Sequence, residues 1–81
     1  MEKKVIYNGQ ILTLTRFWAT NEMCLWINNP EQINIPKMEF VGGYPDEYCI
    51  FIKNLSEEEI AQITLLDGSQ IDIEKEMDYI D

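Results

Sequence analysis

Histidine is absent from the 81 residues. That removes imidazole as a general base, as an activator of cysteine and as a metal ligand. Basic side chains are scarce: six Lys and Arg stand against fifteen Asp and Glu, a net charge of −9. Nucleic acid and anionic membrane both demand cationic neutralisation, so neither is expected as a direct partner. Long apolar runs are missing too, the longest being a few residues where roughly 20 are needed to span a bilayer. Lys3 and Lys4 precede no sustained hydrophobic stretch, so a signal peptide is not expected and a reducing, cytoplasmic setting is.

Cysteine is sparse as well. Cys24 and Cys49 both lie in apolar, strand-like runs, Met23–Ile27 and Tyr48–Ile52, and form no C-x-x-C pair. Two buried thiols are expected rather than a disulfide. In that setting the sequon Asn54-Leu55-Ser56 is a chance match. Gly42-Gly43 opens no phosphate-loop pattern, and neither G-x-S-x-G nor H-E-x-x-H occurs. The acidic C-terminal run lacks the glycine at position six and the glutamate at position twelve of an EF-hand loop. No enzyme activity, metal or cofactor is expected.

The composition that remains is globular: 46% hydrophobic and 26% charged, with two Trp, four Tyr and three Phe to seed one core. At this length, residues 1–81 form a single domain that buries about 60–65% of its unfolded surface. Charge is divided unevenly along it. Residues 1–40 hold four acids and four bases; residues 41–81 hold eleven acids against Lys53 and Lys75, and so carry the entire −9.

Local signals outline an α+β fold. Asn8-Gly9, between Val5-Ile6-Tyr7 and Gln10–Thr15, predicts a type I′ hairpin, with Leu12 and Leu14 on one face and Ile11, Thr13 and Thr15 on the other. A third strand is expected over Met23–Asn28, with Met23, Leu25 and Ile27 alternating against Cys24 and Trp26. A short extended piece at Ile33–Ile35, a fourth strand over Lys37–Val41 and a buried strand over Tyr48–Lys53 follow. Ser56 with Glu59 reads as a capping box, Leu55 with Ile60 as its hydrophobic staple, and Glu57 and Glu58 suit the positive end of the helix dipole. Beyond the helix, Gln62–Leu66 and Ser69–Ile73 flank Asp67-Gly68 as a second hairpin; a longer helix ending at Gly68 is the alternative. The expected architecture is a small antiparallel sheet or half-open barrel of five to seven strands with one short covering helix.

Asp72, Glu74, Glu76 and Asp78 occupy every second position. In an extended chain they line one face at a pitch of about 6.6–6.8 Å, opposite Ile71, Ile73, Met77 and Tyr79. Such a row can imitate a phosphate backbone, or serve as a solvated edge that blocks aggregation. A helix is the competing conformation, in which Ile73, Met77 and Ile80 form a stripe. Trp18, Trp26, Phe40 and Phe51 are expected in the core. Tyr44 stands in a Gly/Pro/Asp loop and, with Asp46 and Glu47, makes a contact loop.

In size, acidity and lack of catalytic residues, the chain is similar to small inhibitors encoded by phages and mobile elements, among them anti-CRISPR, anti-restriction and DNA-glycosylase inhibitor proteins. That resemblance implies stoichiometric binding to a basic, nucleic-acid-handling enzyme, in the host cytoplasm where the chain is phage-encoded. The partner-binding residues are then Tyr44, Asp46, Glu47, Asp72, Glu74, Glu76 and Asp78. Alternatives are an immunity or antitoxin-type binder of a cationic toxin, a small-ligand module walled by Trp18, Trp26 and Tyr44, and a structural subunit.

Overall fold

The computed structural model describes residues 2–29, 34–44, 46–73 and 75. The Asn8-Gly9 signal is realised: Asn8 has φ 54° and Gly9 φ 75°, the left-handed pair a type I′ turn requires. This turn joins β1 (Lys3–Tyr7) to β2 (Gln10–Arg16) and sets the register Tyr7 opposite Gln10. Strands β3 (Met23–Ile27), β4 (Glu39–Gly42), β5 (Glu47–Phe51) and the two-residue β6 (Thr64–Leu65) complete one antiparallel open sheet, in the order β4-β5-β3-β2-β1-β6. Among the described residues the fold is therefore α+β, a six-stranded antiparallel sheet with the short helix α1 (Glu57–Ala61) and a 3-10 turn.

Alternation along the strands produces two unequal faces. Val5, Tyr7, Leu12, Leu14, Met23, Leu25, Ile27 and Ile50 point to one side, where Ile35, Ile52, Leu55, Ile63 and Ile73 close over them. Each such large side chain stabilises the fold by about 1.5–3 kcal/mol through burial. On the other side Cys24, Cys49, Phe51 and Phe17 form a smaller cluster with Trp26 and Val41 against it. Among the described residues, the buried apolar residues outside the strands join the first cluster, with the exception of Phe17, which joins the strand residues of the second. One face is covered; the other is open.

The covering layer starts where β5 ends. Tyr48–Lys53 was expected as one strand, but extended pairing stops at Phe51 and Ile52–Asn54 form a 3-10 turn. That turn carries the chain onto the covered face and lets Ile52 stay buried there. Ser56 then caps α1 (Glu57–Ala61): its Oγ accepts from the Glu59 N–H at 3.2 Å, and Glu59 Oε1 accepts from the Ser56 N–H at 2.9 Å. The same carboxylate takes Lys37 Nζ at 2.6 Å, and Lys37 also donates to the Asn54 carbonyl at 3.1 Å. Lys37 itself sits at φ 70°, so its residue belongs to a turn and β4 begins two residues later than expected. Ile35 is buried but lies outside any strand; Ile33 falls outside the described residues.

After α1 the chain turns back at Asp67-Gly68 rather than continuing the helix, but the expected hairpin is cut short. Its first arm is Thr64–Leu65, and of Ser69–Ile73 only Ser69 and Gln70 bond back before Ile73 turns helical. Thr64 and Leu65 pair with Ile6 and Val5 of β1, the Gly68 N–H reaches the Leu65 carbonyl at 2.9 Å, and Thr64 bridges Gln70. Asp67 stiffens this turn by accepting from the Ser69 N–H and hydroxyl at 2.9 and 2.6 Å.

Removing the cap acceptor with Ser56→Ala should cost about 0.5–2 kcal/mol in chemical denaturation. The Lys37 ammonium, followed by the Ser56 N–H, holds the Glu59 carboxyl below its ordinary pKa. A carboxyl depressed in the folded state stabilises above its unfolded pKa, and that gain vanishes as pH falls through the folded value. An acid titration of stability should therefore be shallower for Glu59→Gln than for the parent in the carboxylate range; identical pH profiles would contradict the clamp.

Candidate functional site

Gly42 (φ 100°) and Gly43 (φ 99°) supply the positive φ that lets β4 turn tightly into β5. The β4–β5 register shifts between Phe40 and Gly42, a bulge that re-aims the tip. At that tip Tyr44 is fully exposed, with Asp46 exposed beside it. Glu47 differs: it is half-buried in β5 opposite Gly42, and its side chain folds against Gly43, where an added Cβ would collide with it. The tip thus offers a ring and one carboxylate, with Glu47 shaping the turn behind them.

Of the C-terminal acids only Asp72 is among the described residues, and it follows β6, the strand at the opposite edge of the sheet. Five interstrand steps of about 4.8 Å, roughly 24 Å, separate β4 from β6. Asp72 is exposed, and its Oδ1 accepts from the Lys75 N–H at 3.1 Å. Ile73 and Lys75 are helical and Ile73 is buried. The extended row expected from Asp72 onward is therefore not the conformation at its start. An Asp bonding the N–H three residues on is an N-cap, and burying Ile73 favours this turn over an edge strand. Glu74, Glu76 and Asp78 lie outside the described residues. The Tyr44 loop thus joins β4 to β5 at one edge of the sheet order, and Asp72 follows β6 at the other.

Two aromatic expectations are corrected. Trp18 is 82% exposed in the β2–β3 connection, and Phe40 is 58% exposed on the edge strand β4. Trp18 follows the end of β2, past the last paired residue, in a turn closed by the Asn21 N–H on the Phe17 carbonyl and the Phe17 N–H on the Glu22 carbonyl, both at 2.7 Å. The turn-rich Ala-Thr-Asn that follows Trp18 was the signal for this placement. Phe40 packs against Tyr48, ring centroids 5.6 Å apart, and no strand lies beyond it in the sheet. Trp18 and Tyr44 also sit at opposite ends of the strands, so they do not wall a common pocket with Trp26.

Phe17 organises the open face. Its ring meets Trp18 and Phe51 at 5.5 Å and Trp26 at 6.5 Å. Lys53 Nζ stands 5.5 Å over Phe51 and pairs with Glu22 at 2.6 Å. Toward β1 the face turns polar: Lys4 Nζ donates to Thr13 Oγ1 at 2.7 Å, and the Asn28 amide lies 3.4 Å from the same oxygen. This polar group has no local signal in the sequence, because it depends on the pairing of three strands.

Cys24 and Cys49 are buried free thiols on this same side. Burial pushes Cys24 up to about 12, and neighbouring Cys49 adds to the effect. Burial also raises Cys49, partly offset by the hydrogen bond from Cys24. Thiols held protonated are poor nucleophiles. Among the described residues no three Cys, Asp or Glu side chains gather as metal ligands, and no helix is long and apolar enough to cross a membrane.

Both thiols should resist a maleimide in the native protein and react fully once it is unfolded. Rapid native labelling, read by mass spectrometry, would contradict their placement beneath the aromatic cluster.

In comparisons with known proteins, no family model, curated protein or solved structure matches this chain.

Proposed function

We propose that this chain is a non-enzymatic, cytoplasmic protein-binding inhibitor or adaptor, which presents carboxylates to a basic partner such as a nucleic-acid-handling enzyme. The observation that carries this reading is the separation of charge: residues 41–81 hold the whole −9. Asp46, Glu57, Glu58, Asp67 and Asp72 all stand exposed there. Part of the cluster has a structural use, since Glu59 is spent on Lys37 and on the cap, and Asp67 on its own turn. Glu57, Glu58 and Asp46 remain as surface charge, and Asp72 is exposed as well while also capping the Lys75 N–H.

Carboxylates at a surface accelerate encounter with a cationic groove, while a desolvated aromatic supplies lifetime to the complex. Tyr44 has the geometry for the second task, projecting from a tight, glycine-shaped tip. Duplex DNA bound in the same groove should compete with this protein for the enzyme.

The test begins with capture of the partner from lysate and proceeds to binding kinetics across a salt series. Exposed charge pairs are screened over about 8 Å at physiological ionic strength, so association should slow as salt rises. Neutralising Asp72, Glu74, Glu76 and Asp78 to Asn or Gln should slow association while leaving folding intact. Tyr44→Ala should chiefly speed dissociation. An association rate indifferent to salt and to neutralisation would reject the reading, and a cationic toxin as the captured partner would redirect it to an immunity role.

A further inference from the structure

The sheet register aligns one continuous row across the open face. Glu39 on β4 is opposite Cys49 on β5, Cys49 is opposite Trp26 on β3, Trp26 is opposite Thr13 on β2, and Thr13 is opposite Lys4 on β1. Directly opposed residues of antiparallel strands share a face, so all five project to the same side. The row has a carboxylate at one end, an ammonium at the other and an indole midway. Glu39 and Lys4 each lie two strands, about 10 Å, from the Trp26 column. Both are exposed, and Trp26 is half-buried.

Such a row is complementary to its own reverse. A two-fold axis parallel to the strands, passing through the Trp26 column, superposes Trp26 on Trp26 of a second copy. It also sets Lys4 of each copy over Glu39 of the other. We propose that the open face is the interface of a two-fold homodimer. Packed sheets stand about 10 Å apart, a gap that Lys and Glu side chains bridge. The aromatic group of Phe17, Trp18 and Phe51 extends the apolar contact toward one end of the strands. The nearby Glu22–Lys53 pair adds no net charge, and Glu47 is folded back on Gly43.

Charge also favours this face over the rest of the surface. Two copies at −9 repel across any acidic patch. The row carries one charge of each sign. Glu57 and Glu58 of α1 belong to the opposite layer, because α1 packs on the covered face through Ile60. Face-to-face pairing therefore leaves those carboxylates on the two outer surfaces, away from each other.

Sedimentation equilibrium over a concentration series tests the pairing. At low salt the parent should reach the mass of two copies. Lys4→Glu and Glu39→Lys should each be monomeric, because each places like charges over one another at both ends of the row. An equimolar mixture of these two variants should recover the two-copy mass, and so should the double variant, since in both the ends are again of opposite sign. Recovery in the mixture separates loss of pairing from loss of fold. A parent that stays monomeric at every concentration, single variants that dimerise like the parent, or a mixture that fails to recover would each overturn the proposal.

Discussion

Among the described residues, the buried segments between the strands gather over one face of the sheet, and the rest of the structure depends on that one-sided burial. The covering segments concentrate on a single side: Ile35 from the β3–β4 connection, Ile52 and Leu55 around the 3-10 turn, Ile63 after α1, and Ile73 after the last turn. The other side is left to small and aromatic residues of the strands themselves. Cys24 and Cys49 lie flat enough for Phe17, Trp26 and Phe51 to close over them. Apolar burial on the first face thus supplies most of the cohesion, and the second face is free to carry a contact surface.

The cover is irregular, so polar contacts hold it in place. Glu59 accepts from two donors at once, the Ser56 N–H and Lys37 Nζ, and the same ammonium also donates to the Asn54 carbonyl. A five-residue helix has little stability of its own and depends on its cap and on tertiary packing. Tyr7 lies beneath this group, and its hydroxyl is held above its ordinary pKa by burial and then by Glu59. The clamp therefore connects the 34–38 segment, the start of α1 and the sheet. It also shows why a run of three glutamates is not one feature: Glu59 belongs to the fold, while Glu57 and Glu58 face water.

Signals confined to a few neighbouring residues were legible in the sequence. Asn8-Gly9 demanded left-handed φ at two successive positions, Ser56 and Glu59 fitted a reciprocal cap, and the alternation of Met23–Ile27 assigned both faces of β3 before any partner strand was known. Asp67-Gly68 likewise marked its hairpin. Less was legible where an outcome depended on strand order. Phe40 alternates properly, yet β4 is an edge strand, and an edge residue lacks the second neighbour that would bury it. Trp18 has core chemistry but falls two positions past the paired part of β2. Asp72 begins a run that reads equally as strand or helix; the burial of Ile73 on the covered face decided for a helical turn there.

The candidate site divides in the same way. Tyr44 and Asp46 were identifiable as exposed because glycine and proline around them preclude a buried strand, a restriction that acts within the loop itself. Net charge and its confinement to residues 41–81 are likewise properties of the chain, independent of how it folds. That β4 and β6 stand at opposite edges of the sheet was not in the sequence. Nor was the Glu39–Cys49–Trp26–Thr13–Lys4 row, whose members span 46 positions and meet through four registers. Local dihedral preference and side-chain alternation act between near neighbours, so sequence alone determined the turns, the cap and the facing of each strand. Which strands lie side by side is set by the joint burial of all of them, and only the tertiary structure decided that.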